Sequence, residues 1–134
     1  MTHILTSPLS VPTPKATFPL NLNHYRNAHY RVLNHAKINY KLIMREQIFK
    51  LPVFEKIKLE FVLYPNSRAK CDLDNVCSVH NKFFSDALVE MGKIKDDNYL
   101  FITEISYKFG EVLPKNGKVE VTIEHIAAVE YPQF

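Results

Sequence analysis

Asp72 and Asp74 flank a single leucine, and a second acidic pair, Asp96-Asp97, begins 22 residues after Asp74. In extended backbone, residues two apart project to the same side, so the first pair is expected to share a face. Three or four carboxylates from two segments, with positions left for water and phosphate oxygens, make the hard-oxygen environment that Mg²⁺ takes. Such an ion polarises a phosphoryl oxygen and lowers the pKa of bound water, which is the chemistry of phosphodiester hydrolysis at neutral pH. The same residues also have an ordinary structural use, because aspartate caps helix N-termini and Asp-Asp-Asn makes turns. Cys71, Cys77 and His80 lie among these acids, but Cys-x5-Cys-x2-His matches no four-ligand zinc spacing. Ser78 stands four residues before Lys82, without the glycine-flanked turn or oxyanion donors of a nucleophilic serine.

Positioning these groups is the task of the surrounding elements. Pro8, Pro12, Pro14 and Pro19 forbid a helix, and residues 1–20 read as an extended arm or edge strand. From Tyr30 the spacing of Leu33, Ala36, Tyr40, Ile43 or Met44, and Ile48 predicts a first helix that ends before Pro52. Arg31, Lys37, Lys41 and Arg45 lie on its other faces, with Arg26 upstream and Tyr25 and Tyr30 interleaved. A basic and aromatic surface of this kind is expected to follow a nucleic-acid backbone. Residues 53–64 alternate as a strand with one buried face. Pro65-Asn66-Ser67 breaks it, and a short basic link carrying Arg68 and Lys70, two further candidate phosphate contacts, leads to Asp72.

A second helix carries Val76, Val79, Phe83, Ala87, Leu88 and Met91 as its apolar stripe, with Gly92 as its C-terminal cap. Two strands follow over residues 99–113 and Lys118–Ile126, and Asn116-Gly117 between them signals a hairpin. Residues 127–134 read as a loose tail. The order strand, helix, strand, helix, strand, strand predicts an α+β fold, a small mixed β-sheet covered by two helices.

The chain has 134 residues, 46% of them hydrophobic and 23% charged, the balance of a single domain over 1–134. Its apolar runs are too short to span a bilayer, which excludes a membrane protein of the helical kind. No signal-peptide pattern opens the chain, so a cytoplasmic location is expected. The two cysteines are expected to be reduced thiols. The net charge of +3 divides unevenly, with +8 over residues 1–70 and −5 over residues 71–134. That division suits a basic surface that gathers phosphates and an acidic site that gathers a divalent cation.

The run Asp72-Leu73-Asp74-Asn75, followed by Lys82, Asp86-Ala87-Leu88, Gly92 and Asp96-Asp97, resembles the RusA family of Holliday-junction resolvases of bacteriophages and prophages. That family's pattern is Asp-x-Asp-Asn, a helical lysine, Asp-Ala-Leu and a downstream Asp-Asp. The likeness is concentrated in residues 68–98, with a compatible order of elements over 20–126. It implies a RusA-like fold and a homodimer that binds branched DNA, above all four-way junctions, and resolves them by paired symmetric nicks in recombination and repair. It also implies Mg²⁺, with Mn²⁺ as a substitute, held by Asp72, Asp74 and Asp97, with Lys82 as the basic partner, in the cytoplasm of a bacterial host, as a phage-encoded or host-encoded protein. A catalytically inactive branched-DNA-binding homologue, or a nuclease preferring flaps or forks, is the alternative.

One departure from the family pattern stands out. Lys82 lies eight residues after Asp74, where the pattern has four, and Ser78 takes the four-residue position. In a regular helix this places Lys82 about 12 Å from Asp74 along the axis rather than about 6 Å. Either a loop between Asn75 and Asn81 absorbs the extra turn and returns Asp74 to the site, which is the favoured expectation, or Lys82 does not touch the metal or phosphate.

Overall fold

Ile57, Leu59, Phe61 and Leu63 alternate with Lys58, Glu60, Val62 and Tyr64, and the chain builds its sheet around this strand. The computed structural model describes residues 2–126, so the tail expected over residues 127–134 lies outside the described residues. In chain order the elements are β1 (Thr2–Ser7), β2 (Ser10–Pro12), β3 (Thr17–Pro19), α1 (Leu22–Asn27), α2 (Tyr30–Phe49), β4 (Lys56–Tyr64), α3 (Leu73–Glu90), β5 (Ile102–Phe109) and β6 (Lys118–Ile126). The main sheet has the order β1-β6-β4-β5. β6 runs antiparallel to both β1 and β4, while β5 runs parallel to β4. The fold is thus mixed α+β with a mixed sheet, as expected, but it has three helices and an order different from the one anticipated.

The inward residues of β4 join Leu5 of β1 and Val119, Val121 and Ile123 of β6 in a core that the helices close. From α2, Ala36, Tyr40, Met44 and Ile48 enter this core at four-residue spacing, one side of the helix. Of the alternatives Ile43 and Met44 it is Met44 that is buried, while Tyr30, read as the start of that stripe, is 62% exposed. Phe83 meets Tyr40 edge-on, and Phe84 meets Phe61 in the same way. The other face of the sheet carries Lys58, Glu60, Glu104 and Lys108, whose charges pair across β4 and β5, Lys108 with Glu60 at 3.1 Å. Among the described residues, no helix is long and apolar enough to cross a membrane.

Residues 2–20 form edge strands rather than a free arm. β1 is the outer strand of the main sheet, and β2 pairs with β3 in a small hairpin that buries Val11 and Phe18. Pro8 and Pro14 lie in the connections, and Pro12 and Pro19 are tolerated because the short strands sit at edges, where a missing N–H costs no ladder bond. The outer edge of β1 is covered by a side chain. Gln47 accepts from Thr6 N at 2.7 Å and donates to Thr6 O at 3.0 Å, imitating a neighbouring strand.

The expected hairpin at Asn116-Gly117 is also absent, because β4 lies between β5 and β6. The connection instead crosses the end of β4, where Leu113 N donates to Pro65 O at 2.8 Å. Gly117 is needed for close approach rather than for a tight turn: a Cβ there would lie 2.6 Å from Asn66 Cβ and Leu9 Cδ1.

One polar cluster ties the layers together inside the core. Ser7 Oγ lies 2.7 Å from the Tyr40 hydroxyl and 2.6 Å from His80 Nδ1, and all three residues are fully buried. Burial pushes the imidazole of His80 down to about 3, so it is neutral, and raises the Tyr40 hydroxyl well above its usual range.

Candidate functional site

Asp72 is the N-cap of α3, with extended backbone and no capping hydrogen bond from its side chain, and Asp74 sits in the first helical turn. The two therefore do not share an extended segment, and their side chains do not alternate as in a strand. Both are exposed, and neither carboxylate has a hydrogen bond or ion pair among the described residues. Close behind them, Asn75 Oδ1 accepts from Leu22 N at 3.1 Å and fixes the start of α1 to the start of α3. Burial pushes the Cys77 thiol up to about 12, with the charge of Asp74 adding to the rise. Tyr107 is raised as well, chiefly by burial and in part by Asp74. Beside the acids, a cavity of about 260 Å³ opens between Leu20, Asn21, Pro65, Lys70, Cys71 and Val76. Arg68 and Lys70 are exposed in the link that borders it.

The extra turn is not absorbed in a loop. α3 is helical from Leu73 to Glu90. Cys77, His80, Phe84 and Leu88 are buried along it at spacings of three and four, and a break in the helix would throw that stripe out of phase. Lys82 accordingly lies two turns, about 12 Å, beyond Asp74 along the axis. Its ammonium group sits 5.8 Å from the centre of the Tyr25 ring on α1.

Asp96 and Asp97 lie at the other end of the helix. Lys93 O accepts from Phe54 N at 2.8 Å, and Asn98 O accepts from both Phe101 N and Ile102 N at 3.0 Å. These bonds hold the acidic loop at the start of β4 and β5, whereas Asp72 and Asp74 stand near their ends. The 18 residues of α3 span about 27 Å between them. Within one chain, Asp97 therefore does not join Asp72 and Asp74. Asp96 is engaged in its own turn, accepting from Asp97 N at 2.7 Å and from Asn98 Nδ2 at 3.1 Å. No group of three or more His, Cys, Asp or Glu able to hold a metal occurs among the described residues. The zinc arrangement has no geometry either, since His80 bonds Ser7 in the core while Cys71 is exposed.

The expected basic face of the first helix is mixed. Arg31 and Arg45 are exposed, as is Arg26 on α1, but Lys37 is half-buried and Lys41 forms an ion pair with Glu90 of α3. Ile38, Leu42 and Phe49 lie exposed along the same helix, 56%, 60% and 73% open. Tyr25, which receives Lys82, was legible only as an interleaved aromatic, and the contact of Asn81 with Tyr107 at 3.4 Å had no sequence signal. Comparison of the chain with models of known protein families finds no match, and comparison with curated proteins finds none either.

Proposed function

We propose that this chain is a Mg²⁺-dependent endonuclease that nicks four-way DNA junctions, working as a homodimer in the cytoplasm of a bacterial host. The observation that carries the reading is the pair of exposed carboxylates at the opening of α3, Asp72 and Asp74, which have no partner of their own among the described residues. One or two carboxylates, completed by waters and substrate phosphates, suit Mg²⁺ better than a full protein cage does. An ion held there would supply Lewis acidity toward a phosphoryl oxygen and a more acidic bound water. Arg68 and Lys70, on the link before the pair, are placed to draw a phosphate toward it, and Lys82 is two turns away over Tyr25.

Asp97 fits this reading only with a second copy. An α3 running antiparallel to its mate brings Asp72 and Asp74 of one chain to the end of the other that carries Asp97. Ile38, Leu42 and Phe49 recur on one exposed side of α2, and an apolar stripe of this kind suits contact with a second copy. An isologous pair would also present two equivalent sites to the two-fold arms of a junction.

The test is cleavage of a labelled four-way junction beside a matched linear duplex and a flap, with Mg²⁺ or with EDTA, for the wild type and Asp74→Asn. Symmetric Mg²⁺-dependent cuts confined to the junction and lost in the variant are expected. Preferential cutting of the flap would move the reading to a flap nuclease. The distance between Asp97 and the pair favours one further reading, a branched-DNA-binding protein that does not cut. Tight junction binding with no product under Mg²⁺ or Mn²⁺ would establish it in place of the nuclease.

A further inference from the structure

No aspartate or glutamate precedes Glu46, whereas Lys15, Arg26, Arg31, Lys37, Lys41 and Arg45 all do. The fold gathers part of this acid-free stretch. The turn between β2 and β3 and the first turns of α2 enclose a cleft of about 430 Å³ lined by Thr13, Lys15, His29, Arg31, Val32 and His35. No ion pair among the described residues engages Lys15 or Arg31. Beside the cleft, the rings of His29 and Tyr30 lie 4.5 Å apart at 31°. Arg31 Nε donates to the Tyr30 hydroxyl at 3.3 Å, with its guanidinium carbon 5.9 Å from the ring centre. Tyr30 is thus braced on its own helix and remains 62% exposed.

We infer that this cleft holds an unpaired nucleotide, with Lys15 and Arg31 on its phosphate and Tyr30 stacked on its base. Cations alone would serve any anion. Cations beside an open, braced aromatic ring are the combination that holds single-stranded nucleic acid, because every base offers a π-face. Duplex DNA gives such a ring nothing to stack on. The inference rests on the nuclease reading and deepens it, since exchanging strands, flaps and forks are where unpaired nucleotides occur.

Fluorescence anisotropy of a labelled oligothymidylate, with EDTA present so that cutting plays no part, tests it. The wild type should bind, Tyr30→Ala should bind roughly tenfold more weakly, and Tyr30→Phe should keep the affinity. Lys15→Ala and Arg31→Ala should each weaken binding and each lower the salt slope by about 0.7. Val53→Ala, beyond the end of the same helix and 72% exposed, should leave binding unchanged. Equal affinities for the wild type and Tyr30→Ala would overturn the inference, as would an equal loss in Val53→Ala. Displacement of the oligonucleotide by inorganic phosphate at matched phosphate concentration would reduce the cleft to a plain anion site and overturn it too. Junction cleavage without Tyr30-dependent oligonucleotide binding would sink the cleft alone. Tyr30-dependent binding without junction cleavage would uphold the cleft and remove the nuclease.

Discussion

Ser7, Tyr40 and His80 meet where β1, α2 and α3 converge, and their bonds are the only polar ties through that part of the core among the described residues. An imidazole held down to about 3 stays neutral in the folded protein, while the unfolded chain binds a proton at the ordinary value near 6.5. Between those values the unfolded state carries the extra proton. The group's contribution is therefore complete above about pH 6.5 and is lost as the pH falls toward 3, by at most about 1.4 kcal/mol per pH unit. Urea midpoints at pH 7 and pH 4.5 should show this fall, and His80→Gln should lose this share of it. Parallel acid losses in both proteins would assign the effect elsewhere. Tyr40→Phe removes one bond of the trio and should cost about 1 kcal/mol at either pH. Although the apolar stripe read from the sequence left His80 out, the phase that it shares with Val76, Phe83 and Ala87 was legible. Its partner was not, since Ser7 lies 73 positions away and no local pattern reports such a contact.

Helix ends and strand order show where local sequence is decisive and where it is overruled. Gly92 closes α3 as read: it has φ +74, its N–H donates to Val89 O at 3.0 Å, and Lys93 N donates to Leu88 O at 2.9 Å. This is the Schellman pattern, and it depends only on neighbouring residues. Asn116-Gly117 carried an equally local signal but formed no hairpin, because β5 is drawn to the parallel edge of β4 by the α3 crossover. The left-handed residue in that connection is Lys115, with φ 63. The two glycines should therefore fail differently when substituted. A Cβ at Gly92 meets nothing within 4 Å, so Gly92→Ala should lose only the backbone preference, about 1 kcal/mol by urea denaturation. At Gly117 the nearest backbone atom is Asn66 N at 2.7 Å, so Gly117→Ala must move the chain at the end of β4. It should cost more, about 2 kcal/mol. A Gly117→Ala loss no larger than that of Gly92→Ala would contradict the close approach.

Across the whole molecule, the candidate site was legible as residue types and spacing but not as distances. Asp72, Asp74 and Asp97 stand in one sequence pattern, yet an uninterrupted 18-residue helix holds them apart, and the stretch from Asp74 to Lys82 is helical throughout. If a second copy completes the site, Mg²⁺ binds only the associated form. The rise in melting temperature with Mg²⁺ should then grow with protein concentration and disappear in Asp74→Asn. A rise independent of protein concentration would mean that Asp72 and Asp74 hold the ion without Asp97.

The sheet order also bears on how the chain comes off the ribosome. β1 has one strand neighbour, β6, and every paired position is separated by more than 110 residues, from Thr2 with Glu124 to Ser7 with Val119. The strand of this sheet that is made before the others is thus the last that can be seated. During synthesis Leu5 and Ser7 must wait for Lys118–Ile126 to emerge before their ladder can form. A nascent chain arrested after β5 should present β1 as an unprotected, protease-sensitive segment, however well α2, β4 and α3 have already packed.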